Sequence, residues 1–200
     1  RERDGDAVRR FADAVTRLAE FTRTMADDAG RLPLIGDDDG GMLWPLAGRE
    51  CQDVRDSLAL AAVLLERPDL APWGGQEESL WIMGAGTCDG VTARQCDSAD
   101  VRRCDGAIAS RALKDTGYVV LRDASGSHAV FDAGRHGYLN GGHAHADALS
   151  MTLTLAGRPL LVDPGTSTYT MDPRLRDRLR SSMSHNTVTV DGRSQANPSG

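Results

Sequence analysis

The hydrophobic period of this chain changes once, near Gly117, and that change limits what it can fold into. Upstream, apolar residues recur at spacings of three and four; downstream they alternate. The first pattern lays a stripe along one side of a helix and the second fills one face of a strand, so a single segment cannot serve both. From Asp6 to about Ala26, the spacing of Val8, Phe11, Val15, Leu18, Ala19 and Met25 predicts an amphipathic helix. A second helix is expected over Asp53 to Glu66, with an Asp53-x-x-Asp56 opening, a Val54, Leu58, Ala61, Leu65 stripe, and Pro68 as the stop. Beyond Gly117, the runs 118–122, 128–132 and 148–155 alternate between turn residues, and Leu155 to Leu160 reads as a hairpin into a strand over Leu160-Leu161-Val162. Asn186 to Val190 reads as a further strand, ending in the Asp191-Gly192 turn. Helices first and strands second give an α+β class with a helical part over 1–71, an irregular linker over 72–116 and an antiparallel β part over 117–200.

Composition excludes several function classes. No apolar run in the 200 residues approaches the roughly 18–20 that a membrane-spanning helix needs. A net charge of −6 argues against a nucleic-acid surface. All but one of the 23 basic residues are arginine, the exception being Lys114. A genomic composition bias explains that better than function, although the planar guanidinium suits carboxylates. Cys51, Cys88, Cys96 and Cys104 lack the C-x-x-C spacing of zinc ribbons and leave both disulfides and free thiols open. The acidic loop Asp37-Asp38-Asp39-Gly40-Gly41 lacks the alternating ligands and closing glutamate of a calcium loop. The chain begins without methionine or a leader and stops directly after a strand-like run, as a fragment of a longer protein would.

The chemistry concentrates in Gly141-Gly142-His143-Ala144-His145-Ala146-Asp147. In an extended segment His143, His145 and Asp147 point to one side. Asp163, at the end of an apolar run, and His185, just before Asn186, are further candidates at strand termini. Imidazole and carboxylate donors suit Zn²⁺, and two histidines with one aspartate make a common ligand set. The alternative is a set of strand-end polar residues hydrogen-bonded to backbone.

The ordered runs His143-Ala-His145-Ala-Asp147-Ala-Leu149-Ser150, Gly157-Arg-Pro-Leu-Leu-Val-Asp163-Pro-Gly-Thr166 and Arg180-Ser-Ser-x-x-His185-Asn186-Thr-Val188, with Asp191-Gly192 and Gln195, closely resemble the heparinase II/III-like family of polysaccharide lyases. Leu32-Pro33-Leu34-Ile35-Gly36-Asp37-Asp38-Asp39-Gly40-Gly41 resembles the same family near the end of its helical toroid. The resemblance implies the last part of an (α/α) toroid followed by an antiparallel β-sandwich, both incomplete here. It implies cleavage of an acidic, uronate-containing polysaccharide by β-elimination, in the periplasm, at the cell envelope or outside the cell.

Carried over by the resemblance, His143 is the catalytic histidine, and His145, Asp163 and His185 are ligands of a structural Zn²⁺ near the active site. Asp147 and Asn186 stand behind these residues, Asp147 orienting a histidine ring, while Arg176, Arg180 and Tyr169 are substrate-binding candidates. The family's toroid also supplies a tyrosine acid/base and an asparagine or histidine that neutralises the substrate carboxylate. Tyr118, Tyr138 and Tyr169 all lie in the β part and match neither, so activity is expected of the parent protein and weak or absent activity of this stretch alone. One alternative is a non-catalytic zinc-stabilised β domain that binds acidic glycans. A zinc hydrolase is disfavoured by the absence of an H-E-x-x-H arrangement. Oligomeric state is left open.

Overall fold

The computed structural model describes residues 2–38, 46–74, 76–84, 109–137 and 141–197, with the side chains of 2–4 left out. They combine helices with a five-stranded antiparallel sheet, an α+β composition, and divide into two compact units.

The first unit is helical. Helix α1 (Glu2–Met25) starts ahead of the expected Asp6. Arg23 in its last turn complements the helix dipole. Only part of its apolar stripe is used within the described residues: Ala19 and Met25 are buried, whereas Val8, Phe11 and Leu18 are exposed. Helix α2 (Arg55–Leu64) presents Leu58, Ala59, Ala61 and Ala62 to a core completed by Ala19, Ala26, Val54, Leu70 and Ala71. The alanines bring the backbones close, and Leu58 and Leu70 fill the remaining volume.

The Asp53-x-x-Asp56 opening does not cap α2, because Val54 occupies the cap position without a side-chain bond. Arginine side chains pair with both carboxylates, while Asp53 Oδ1 also accepts the Arg55 backbone N–H at 3.2 Å and Asp56 Oδ1 that of Glu78 at 3.1 Å. Asp53 accepts from Arg55 Nε at 2.9 Å and Arg55 Nη2 at 2.6 Å, and Arg49 Nε donates to Asp56. The helix ends before the expected Glu66, which turns left-handed at φ 54°, and Pro68 opens a short 3-10 turn, Pro68–Leu70.

Part of the stretch read as an irregular linker is regular. Helix α3 (Glu77–Met83) opens with a reciprocal cap between Gln76 and Ser79, and its Glu78 carboxylate accepts the backbone N–H groups of Leu46 at 2.8 Å and Ala47 at 3.2 Å. Residues 85–108, with Cys88, Cys96 and Cys104, lie outside the described residues, as do 39–41 and Tyr138.

The second unit gathers residues 27–29, 33–38 and the described residues from 109 onward, so the Leu34–Asp38 stretch read with the helices belongs to the sheet's unit. The sheet is a meander in chain order: β1 (Arg111–Leu113), β2 (Tyr118–Arg122), β3 (His128–Asp132), β4 (Met151–Leu155) and β5 (Arg158–Leu161). Val120 pairs with Val130 and Val130 with Thr152 on one face. Leu121, Ala129, Leu153 and Leu161 align on the other. Val120 and Val130 on the first face are buried, while on the second Ala129 is buried and Leu121 exposed. Ala156 and Gly157 join β4 to β5 with φ values of 48° and 77°, the left-handed pair that a two-residue hairpin requires.

Two strand expectations fail in this unit. The run 148–155 becomes extended only at Met151, and Asn186–Val190 forms no strand, keeping one isolated bridge from Val190 to Arg193. The Gln195 side chain takes the place of a partner strand, its Nε2 donating to the carbonyls of Ala148 at 3.0 Å and Val188 at 3.2 Å. Ahead of this segment stands α4 (Pro173–Arg180), a helix the spacing of apolar residues does not announce. Asp172 caps it through Leu175 N–H at 3.0 Å, and Pro173 opens it.

Candidate functional site

Residues 141–150 are turns, not the extended segment their alternation suggests. Ala144 N–H bonds back to the Gly141 carbonyl at 3.0 Å, Ala146 N–H reaches the Arg180 carbonyl at 2.8 Å, and Leu149 adopts φ 62°. His143, His145 and Asp147 are therefore set by tertiary contacts and not by strand geometry. His143 is exposed on a rim while His145 and Asp147 are buried.

What His143 and His145 share is the carboxylate of Asp37, a residue the sequence reading placed in the toroid motif without a role. His143 Nδ1 lies 3.2 Å from Asp37 Oδ2 and His145 Nε2 lies 3.0 Å from Oδ1. Arg176 donates to both oxygens, Nη1 to Oδ1 at 3.1 Å and Nη2 to Oδ2 at 2.7 Å. The Asp37 side chain is fully buried. Burial alone raises its proton affinity, but the hydrogen bonds from Arg176 and His145, the Arg176 charge and His143 together hold the carboxyl far below the usual range. The backbone tightens this contact, with Asp37 N–H donating to the His143 carbonyl at 3.2 Å. Gly36 allows it: its φ is +61°, and a Cβ there would stand 3.0 Å from that same carbonyl oxygen.

His145, Asp163 and His185 form a buried triad in which one donor atom from each lies within 4.8 Å of the others. Three remote segments bring them together: the turn after Gly141, the end of β5 and the turn after α4. Asp163 accepts from Gly165 N–H at 2.9 Å through Oδ1 and meets His185 Nδ1 at 2.8 Å through Oδ2. Burial lowers the proton affinity of His185, but the Asp163 hydrogen bond and charge, with Asp147 behind them, raise it overall. The other ring nitrogens, His145 Nδ1 and His185 Nε2, are buried without a hydrogen bond. Two unsatisfied imidazole nitrogens beside a carboxylate fit a divalent metal, whose coordination would remove both deficits.

The remaining candidates fall around this centre. Arg180 donates from Nε and Nη2 to the Ala144 carbonyl at 3.2 and 3.0 Å, holding the turn that carries His143 and His145. Tyr169 lies under the Arg176 guanidinium, 4.5 Å from ring centroid to Cζ. Asn186 Nδ2 donates to the Val162 carbonyl at 2.8 Å and fixes the chain beside Asp163. Asp147 does not orient a histidine ring, since His185 bonds to Asp163 and His145 to Asp37; burial is the main cause of its raised pKa.

An open pocket of about 390 Å³ adjoins His143 and is lined also by Tyr118, Asp132, Arg135 and Asp147. Burial, then the charges of Asp132, Asp147 and Asp163, push the Tyr118 hydroxyl up to about 12, so it keeps its proton at neutral pH. Arg135 is exposed there, whereas Arg176 and Arg180 spend their donors on the protein itself. Sequence reasoning missed both Asp37 and Arg135. Asp37 lies within the 32–41 stretch, where nothing local gives it a role, and Arg135 is one of 22 arginines.

Residues 106–200 match the family described as Heparinase II/III-like, C-terminal. Among solved structures, the chain is similar to heparinase III, the BT4657 gene product with methylated lysines, at 19% identity and a TM-score of 0.61, covering 91% of this chain and 24% of that one. It is also similar to the heparan sulfate lyase HepC from Pedobacter heparinus, at 19% identity and a TM-score of 0.53, covering 86% of this chain and 23% of that one. At such identities the likeness concerns the fold, and the chain spans about a quarter of the length of these structures. No curated protein sequence matches the chain. Among the described residues no helix is long and apolar enough to cross a membrane.

Proposed function

Because residues 106–200 belong to the heparinase II/III-like family through its C-terminal part, we propose that this chain is part of a polysaccharide lyase that cleaves uronate-containing glycans by β-elimination. The observation that carries the reading is His143, exposed at the rim of a pocket while its Nδ1 is held by a buried carboxylate. Its other nitrogen, Nε2, is left to meet substrate. In the reaction the uronate carboxylate is neutralised, which acidifies the C5 proton. A base removes that proton, its C–H electron pair becomes the C4–C5 double bond, the C4–O bond breaks, and the leaving oxygen takes up a proton.

His143 is assigned to this proton transfer or to neutralising the carboxylate. Arg135, exposed in the pocket, is the cation placed to pair with a substrate carboxylate. Arg176, Arg180 and Tyr169, expected from the sequence to touch substrate, are assigned to holding Asp37 and the His143 turn. The tyrosine acid and the second carboxylate-neutralising group are assigned to a toroid, of which unit one is the last part. The face that carries exposed Leu121 beside half-buried Leu153 and Leu161 is the side that a second sheet of a β-sandwich would cover.

His145, Asp163 and His185 would hold a Zn²⁺, which when bound fixes three remote segments in place. A polymer-degrading enzyme of this kind acts in the periplasm or outside the cell. The test is incubation of the purified full-length protein with heparan sulfate, alginate and other uronate polymers. New ultraviolet absorbance from unsaturated uronate ends supports elimination; new reducing ends without that absorbance would mean hydrolysis and refute it. Binding without cleavage of any polymer would favour the second reading, a zinc-stabilised domain that binds acidic glycans.

A further inference from the structure

The carboxylate of Asp37 sits between the residue assigned to chemistry and a residue assigned to metal binding, and its chemistry constrains both. The bidentate Arg176 contact keeps it ionised, and an ionised carboxylate only accepts hydrogen bonds. A ring nitrogen within hydrogen-bond distance must therefore carry a proton. That nitrogen is Nδ1 in His143 and Nε2 in His145.

We infer that Asp37 is a positioning residue that fixes the two histidines in opposite tautomers, Nδ1–H on His143 and Nε2–H on His145. In the neutral His143 ring the unprotonated nitrogen is then Nε2, the one not turned into the protein. In His145 it is Nδ1, the buried nitrogen that lacks a hydrogen bond. One carboxylate thus prepares a base on the pocket side and a ligand nitrogen on the metal side. Free imidazole favours Nε2–H, so His143 is held in its less common form and His145 in its commoner one. Thr166 Oγ1, accepting from Arg176 Nη1 at 3.2 Å, and the Tyr169 ring keep the arginine against Asp37, and Gly36 keeps the backbone close enough.

This inference rests on the proposed lyase reading for its consequence, but not for its test. Long-range nitrogen–proton correlation spectra of the ¹⁵N-labelled protein resolve the tautomer of each of its five histidines, and His143→Gln and His145→Gln identify the two signals. Recorded at a pH where both rings are neutral, the expected result is Nδ1–H for His143 and Nε2–H for His145. A wild-type His143 found as Nε2–H overturns the inference whatever the variants do. In Asp37→Asn, His143 is expected to revert to Nε2–H, and affinity for added Zn²⁺ to fall roughly 10–100-fold. In Asp37→Glu, which keeps an acceptor, the His143 signal is expected to return toward its wild-type form. If Asp37→Asn does not fold, the wild-type spectrum decides alone. On a cleaved polymer, Asp37→Asn should lower kcat with little change in KM. Correct tautomers in a protein that cleaves no polymer would leave this inference standing and refute the lyase reading.

Discussion

Asp37 and His143 hold each other twice. The Asp37 amide donates to the His143 carbonyl at 3.2 Å, and His143 Nδ1 meets Asp37 Oδ2 at the same distance. The histidine is therefore fixed in backbone position and in ring orientation by one residue more than a hundred positions upstream. An exposed ring held in this way loses little further freedom on reaching a transition state, which is how orientation contributes to rate.

Replacing His143 by alanine should abolish the proton transfer without disturbing the metal centre. Activity is expected to fall roughly 10²–10⁴-fold while metal content and melting temperature stay near wild type. Steady-state rates and elemental analysis on the same preparation check this.

Arg135 and Arg176 are predicted to respond differently although both are arginines near the same site. Arg135→Ala should raise KM for an acidic oligosaccharide about tenfold, the loss of about 1.5 kcal/mol of charge-assisted hydrogen bonding, with melting unchanged. Arg176→Ala strips the buried Asp37 carboxylate of its cation and should cost about 3 kcal/mol of stability. Denaturation curves paired with kinetics separate the two; equal melting losses would show that Arg135 is also structural.

Much of the architecture was legible because period alone separates helices from strands. Four of the five strands have counterparts in the alternation, and α1 and α2 in the three-and-four spacing. The misses share a cause. In the 141–150 and 186–190 stretches the backbone bonds go to remote partners, the Arg180 carbonyl for Ala146 and the Gln195 side chain for Ala148 and Val188, and no local pattern announces these. Asp53 looked like a helix cap, but Val54 holds that position, and the Asp53 oxygens take the Arg55 side chain together with the Arg55 backbone N–H. The histidines and Asp163 were found by composition and motif, whereas Asp37 joins them only through the fold.

Two glycines make a contrasting pair. At Gly137 the backbone is left-handed, φ +64°, and a Cβ would lie 2.6 Å from Ala144 Cβ, against the turn that carries His143. Gly157, also left-handed at φ +77°, has nothing within 4 Å. Gly137→Ala is expected to cost about 1–3 kcal/mol and to reduce activity, whereas Gly157→Ala should cost only about 1 kcal/mol and leave activity intact. Melting curves of the two variants check the difference.

Acid should weaken the helical unit through Asp53. Its hydrogen bond from Arg55, opposed by burial and aided by the Arg55 and Arg49 charges, lowers its pKa to about 2, against 3.8 for the ordinary group. The unfolded chain therefore binds more protons between those values, so this contribution is complete above about pH 4 and is lost as pH falls through 2. Asp53→Asn should be less stable at neutral pH and show a shallower loss of stability between pH 4 and 2. Denaturant titrations at stepped pH measure that slope.

Metal loading should depend on all three members of the buried triad. Single alanine replacements of His145, Asp163 and His185 are each expected to abolish stoichiometric metal, and a chelator should lower the melting temperature of the wild type but not of the variants. Retention of metal by all three would place any bound ion elsewhere.

The most direct measurement follows product absorbance from the full-length protein on its best uronate polymer, comparing wild type with His143→Ala at equal metal content. Unsaturated uronate products are expected from the wild type, with at least a hundredfold slower appearance from the variant. An unchanged rate in His143→Ala would contradict the assignment of His143 to the chemistry, and products with no double bond would contradict elimination.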